Sequence, residues 1–202
     1  MLGLDDHWQR LQNYRARQVP ASPKEAAVLL LLCAADAGPK LLFTRRALHL
    51  GSHPGEVSFP GGLREQVDAD LYATAIRETQ EEVGLQQDPL FVTALDSLYA
   101  KSGIRVSPFV AFIPKLPQLT PNPDEVAEIR WLELPKLTDS PPEYQWFNRH
   151  GKRWRVPFFY QEDWQIWGMT GMILVNLANV MMAQQWPDFY SEWVQHPMDD
   201  PR

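Results

Sequence analysis

Cysteine is nearly absent. Cys33 stands alone among 202 residues, so no internal disulfide can form and a zinc site built on thiolates is excluded. It lies in the apolar run Ala26–Ala35, where a thiol packs as a small inert hydrophobe. A basic excess is lacking as well. Nineteen Lys and Arg against 25 Asp and Glu leave a net charge of −6, which argues against nucleic acid and against an anionic membrane as partners. The same sign disfavours a small anionic ligand unless a cation intervenes. The N-terminus, Met1-Leu2-Gly3-Leu4-Asp5-Asp6, has no basic segment followed by an apolar one. The expectation is therefore a cytoplasmic protein without a signal peptide.

A membrane span is missing too. The uncharged stretch Gln165–Trp186 carries Gly168, Thr170, Gly171, Asn176 and Asn179, more polar groups than a lipid-facing helix tolerates. A helix buried in the core is expected there, or one serving the interface of a homodimer. Repeats, low-complexity tracts and linkers are not found. At this length, 45% hydrophobic and 22% charged residues fit one globular domain over 1–202.

What is present is an interspersed set of strands and helices. An N-terminal helix is expected over 4–18, with Leu4, Trp8, Leu11 and Tyr14 or Arg15 along one face. Strands are expected at Ala26–Cys33, Lys40–Thr44, Leu90–Leu95, Ile104–Ile113, Val126–Leu132 and Trp154–Tyr160. The spacing of Tyr72, Ile76, Thr79 and Val83 predicts a helix over Asp68–Val83, with Gly84 at its left-handed end. A closing helix is expected at about 168–185. This alternation predicts an α/β or mixed α+β class with a mixed sheet. Between His49 and Gly62, six of fourteen residues are Gly or Pro, and a rigid loop of that length points to function.

Chemistry concentrates in Arg77-Glu78-Thr79-Gln80-Glu81-Glu82-Val83-Gly84-Leu85. At about 100° per residue, Glu78, Glu81 and Glu82 share about 100° of helix arc, apart from the apolar stripe. Each like pair at about 4 Å repels by about 4 kcal/mol at an effective dielectric of about 20. A solvated face relieves that, or a hard cation such as Mg²⁺ or Mn²⁺. Arg77 stands at i, i+4 to Glu81. Phe59-Pro60-Gly61-Gly62 precedes the helix, and adjacent glycines let a metal or ligand approach the backbone.

Residues 62–85 resemble the signature of the Nudix hydrolases: Gly, five residues, Glu, seven residues, then Arg-Glu-aliphatic-x-Glu-Glu-x-Gly-aliphatic. Arg77, Glu78, Glu81, Glu82, Gly84 and Leu85 match its second half, and Thr79 stands at an aliphatic position. Gly62 lies fifteen residues before Arg77, one more than the pattern. A one-residue insertion would place Asp68 in the first acidic role; a helix N-cap is the other reading of Asp68. The resemblance implies an α/β/α sandwich around a mixed sheet, and a metal-dependent hydrolase of nucleoside diphosphates linked to another moiety. It implies Mg²⁺ or Mn²⁺ on Glu78 and Glu82, with Glu81 a ligand or a group that holds one. A backbone carbonyl near Gly62 would be a further ligand, and Arg77 would orient Glu81. The general base would be a glutamate of this cluster or, from a distant loop, Glu125 or Glu128.

A narrower resemblance is to the coenzyme A pyrophosphatase branch. It rests on Leu42-Phe43-Thr44-Arg45-Arg46-Ala47, Gly55, Phe59-Pro60-Gly61-Gly62, Ser102–Val110, Glu125–Glu128 and Ile166–Gly171. Gly51 stands where that branch has arginine and Phe43 where it has leucine. The branch implies a CoA-like nucleotide cleaved to 3′,5′-ADP and 4′-phosphopantetheine. Arg45, Arg46, Lys101 and Arg105 would be candidate partners for its phosphates. ADP-ribose or a dinucleoside polyphosphate is the alternative substrate. A nucleotide sensor without activity is the reading from another class, and it sits poorly with an intact glutamate triplet.

Overall fold

The computed structural model describes residues 2–36, 38–149 and 152–188. A nine-residue strand, β1 (Glu25–Cys33), occupies the middle of the main sheet. Ala27, Leu29, Leu31 and Cys33 enter one hydrophobic layer, and Leu30 and Leu32 the other. Burial on both faces is why this run reads as continuous rather than alternating. β7 (Arg105–Ile113) lies parallel to it, from Glu25↔Arg105 to Cys33↔Ile113. β5 (Leu90–Ala94) and β6 (Leu98–Tyr99) pair antiparallel with β7.

On its other edge β1 is shared. Leu32 faces Leu41 of β2 (Lys40–Arg46), whereas Ala26–Val28 face β4 (Gly61–Leu63). β2 diverges from β1, pairing with β8 (Val126–Glu133) and, at Thr44 and Arg45, with β3 (Val57–Ser58). Segment 57–63 thus fills the fork between β1 and β2, and it delivers the glycine pair to the middle of the sheet.

One face of the sheet is covered by α2 (Leu71–Val83), whose Ala75 and Val83 pack with Ala27, Leu29, Leu42 and Ala111. The helix starts three residues later than Asp68. Asp70 is the N-cap, accepting from the Ala73 N–H at 2.8 Å. Gly84, at φ 68°, ends it with its N–H on the Gln80 carbonyl. Its buried face is Thr74, Ala75, Thr79, Glu82 and Val83; Tyr72 and Ile76 are only half-buried. Thr79 fits its apolar surroundings by donating its hydroxyl to the Ala75 carbonyl at 2.6 Å.

The other face carries α1 (Leu2–Asn13), α4 (Gly168–Met181) and an antiparallel sheet ordered β11 (Trp164–Trp167), β10 (Lys152–Gln161), β9 (Glu143–Arg149). A short α3 (Leu134–Thr138) follows β8. Helix α1 ends at Asn13 rather than at 18, for a local reason. The buried Asp96 carboxylate accepts from the Tyr14 hydroxyl and the Arg17 N–H, each at 2.7 Å, and Ser97 Oγ accepts from the Val19 N–H at 2.8 Å. Backbone donors committed there cannot serve a helix.

The uncharged stretch is strand and helix together. Trp164–Trp167 is β11, and α4 stops at Met181 rather than 185. Leu174, Leu177 and Met181 are fully buried in the core. Asn176 accepts from the Asp96 N–H and Asn179 from the Trp186 N–H, so its polar groups are satisfied inside the chain. Most of α4's apolar side chains pack into the core, the first of the two roles expected of this stretch. No helix among the described residues is long and apolar enough to cross a membrane.

Candidate active site

Helix α2, strand β4 and the loop before β8 converge on one spot. Glu78, Glu82 and Glu125 each bring a carboxylate oxygen there, and the three oxygens lie within 4.8 Å of one another. Glu82 is 3% exposed, and its Oε2 is buried without a hydrogen-bond partner. Burial raises its pKa to about 8, reinforced by the charges of Glu78 and Glu125; Arg46 and the Gly61 N–H act in the opposite direction. Burial also raises the pKa of Glu78, against the favourable charge of Arg77. An orphaned oxygen amid like charges is costly unless a cation joins it.

The two glycines of β4 have separate tasks. Leu29 donates to the Pro60 carbonyl and Arg64 to the Glu25 carbonyl, each at 2.9 Å. With the register Ala27↔Gly62, antiparallel alternation turns the Gly62 backbone groups toward β1 and those of Gly61 away from it. The backbone N–H that reaches Glu82 is accordingly that of Gly61, the neighbour of the Gly62 that the resemblance singles out. Gly62 contributes by having no side chain, because a Cβ there would fall onto the Glu78 carboxyl group. Gly61 is needed for its φ of 154° and because a Cβ would strike the Ala27 carbonyl.

Arg77 organises one flank. Its guanidinium donates through Nε to Asp68 Oδ1 at 2.9 Å, through Nη1 to Glu81 Oε2 at 2.9 Å and through Nη2 to the Leu63 carbonyl at 3.0 Å. Nη2 also lies 3.0 Å from Glu78 Oε1. Asp68 is not the helix cap. It is buried, accepts from the Glu65 N–H and the Thr74 hydroxyl, and is held well below the usual carboxylate range by Arg77. Glu81 is 53% exposed and bound to Arg77, outside the convergent trio. The helix face alone suggests Glu78, Glu81 and Glu82; the fold replaces Glu81 by Glu125.

The other candidates separate similarly. Arg46 lies close enough to favour the ionised form of Glu82. Arg45, its neighbour on β2, instead pairs with Asp163 at 2.8 Å and Glu128 at 3.5 Å, over the ring of Trp164. Glu128 is held there by Arg130 at 2.6 Å and the Trp164 indole at 3.4 Å. Arg105 pairs with Glu25 at the start of β1, and Lys101 is exposed in the turn between β6 and β7.

A family model described as the NUDIX domain matches residues 23–155, two thirds of the chain. The chain belongs to the Nudix family. Among its Nudix relatives, NudL of Photorhabdus laumondii, an uncharacterized Nudix hydrolase, is 37% identical over 188 residues, covering 88% of this chain and 97% of that one. The human mitochondrial coenzyme A diphosphatase NUDT8 is 38% identical over 171 residues, covering 82% and 72%. A MutT/nudix family protein of Enterococcus faecalis shares the fold, with a TM-score of 0.54 at 18% identity over 94% of this chain and 72% of that one. The protein is thus a Nudix pyrophosphohydrolase, of a family that acts on small nucleotides.

Proposed function

We propose that this Nudix enzyme uses divalent cations to cleave the pyrophosphate of coenzyme A or its thioesters, giving 3′,5′-ADP and 4′-phosphopantetheine or its acyl form. The observation that carries the metal part is the convergence of Glu78, Glu82 and Glu125 around an orphaned Glu82 oxygen. Three hard oxygen donors fit Mg²⁺ or Mn²⁺, and the backbone carbonyl of Gly61 would add a fourth. Bound there, the cations would neutralise the pyrophosphate and acidify the attacking water.

The chain's own residues do the rest. Arg77 holds Glu78 from one side while Asp68 anchors Arg77, a positioning arrangement for a metal ligand. Glu81, exposed, outside the trio and oriented by its ion pair with Arg77, would accept a proton from the attacking water, with Glu125 the competing base. Arg46 is the cation nearest in role to a phosphate partner, since its charge already reaches Glu82. The CoA assignment is supported by the 38% identity to the human coenzyme A diphosphatase and by the upstream branch signature.

A substrate panel tests it. With Mg²⁺, CoA or an acyl-CoA is expected to be cleaved faster than ADP-ribose or diadenosine polyphosphates at equal concentration. If ADP-ribose is cleaved far faster than every CoA species, the CoA assignment is wrong.

A further inference from the structure

The segment Thr120-Pro121-Asn122-Pro123-Asp124-Glu125 reads in sequence as a loop punctuated by proline. In the structure each of its backbone N–H groups is committed. Proline supplies none at 121 and 123. Thr120 donates to the Val83 carbonyl and Asn122 to the Glu82 carbonyl, both at 2.9 Å. Asp124 donates to Asn122 Oδ1 at 3.2 Å. Glu125 donates to the Asn122 carbonyl at 3.0 Å, which also accepts from Val126 at 2.8 Å. The Glu82 and Val83 carbonyls end α2, where a helix has no donors of its own to offer. Gly84 leaves room for this docking, since a Cβ there would lie 3.2 Å from the Thr120 carbonyl. From the outer side, Ala47 donates to the Glu125 carbonyl at 2.8 Å, and His49 Nε2 to the Asp124 carbonyl at 3.1 Å.

Residue 122 therefore grips the backbone of both glutamates, Glu82 through its N–H and Glu125 through its carbonyl. The Asn122 side chain fixes the turn that aims these two groups, since its Oδ1 accepts from the Asp124 N–H between them. Left to charge alone, the Glu125 loop would be driven away from Glu78 and Glu82. We infer that Asn122, with His49 on the outer side, is a positioning residue that holds Glu125 against the catalytic helix as the third carboxylate of the cation site. The prolines stiffen the strap by restricting its unfolded alternatives. This inference rests on the metal reading above and goes beyond it in saying what sets the geometry.

The test uses Mn²⁺ alone, titrated into the full chain and followed by the spin-resonance signal of the free ion, with melting temperatures taken in parallel. Asn122→Ala is expected to weaken Mn²⁺ binding by roughly tenfold, the lower end for a group that supports a ligand. Asn122→Asp keeps the side-chain acceptor and should bind nearly as wild type does. His49→Ala should weaken binding in the same direction, and by less. Glu125→Gln should be at least as weak as Asn122→Ala. A purely structural role would lower the melting temperature of Asn122→Ala and His49→Ala and leave Mn²⁺ affinity unchanged, which overturns the inference. Should Asn122→Ala fail to fold, unchanged affinity in His49→Ala overturns it. Absence of Mn²⁺ binding by the wild-type protein would instead overturn the metal reading itself. Equal binding by wild type and Glu125→Gln would remove only Glu125 and its strap.

Discussion

Glu82→Gln is expected to lose more than about 100-fold in turnover, yet to melt higher than the wild-type protein at pH 8 without metal. Changing a group that merely supports a ligand costs about 10- to 100-fold, so removing a ligand should cost more. Stability moves the other way because Glu82 is buried, lacks a partner for Oε2 and faces Glu78 and Glu125. Its pKa is raised from 4.5 to about 8, so the folded state binds more protons than the unfolded chain between those values. Stability of the metal-free protein should therefore fall as pH rises through that window and level off above it. Glutamine fills the same space and does not titrate, so the variant should lose most of that decline. Melting curves from pH 5 to 9 in the presence of chelator, with turnover measured alongside, check both halves. Near wild-type turnover would remove Glu82 from the site. A variant less stable than wild type at pH 8 would contradict the electrostatic account.

Gly62→Ala is the second large effect. A methyl group there would occupy the place of the Glu78 carboxyl group, so Glu78 must move. A displacement of about 1 Å at a reacting site can cost about 100-fold, and that is the expected loss in turnover. The fold should survive, since Gly62 has no left-handed backbone angle to lose. Gly51→Ala is the control: nothing lies within 4 Å of a Cβ at that position, and turnover should stay at the wild-type level. Equal activity of both variants would mean that Glu78 need not sit against β4.

These two positions also show how far local reasoning reaches. Helix periodicity and a terminating glycine place α2 and its carboxylates, because those signals act within one or two turns. The central strands are legible from their unbroken apolar runs. Strand β9, Glu-Tyr-Gln-Trp-Phe-Asn-Arg, is not, since its polar and aromatic residues acquire a strand's role only beside β10. Tyr14–Gln18 carries a helical pattern that Asp96 and Ser97 override from about eighty residues away. The same limit explains the site. Glu81 shares a helix face with Glu78 and Glu82, whereas Glu125 reaches them from a segment distant in sequence that is tied to the end of α2 and to Ala47 by backbone hydrogen bonds. Alternation in β4 likewise turns the backbone groups of Gly62 toward β1 and leaves the Gly61 N–H for Glu82. The net charge of −6 reads differently too, because part of it lies in three converging carboxylates that suit a cation and, through it, an anionic substrate.

The most direct measurement is product analysis of CoA incubated with the protein and Mg²⁺, repeated with excess EDTA. The account predicts 3′,5′-ADP and 4′-phosphopantetheine in equal amounts with Mg²⁺, and neither with EDTA. Cleavage that continues in EDTA would contradict it, as would CoA and an acyl-CoA both left intact while Mg²⁺ is present.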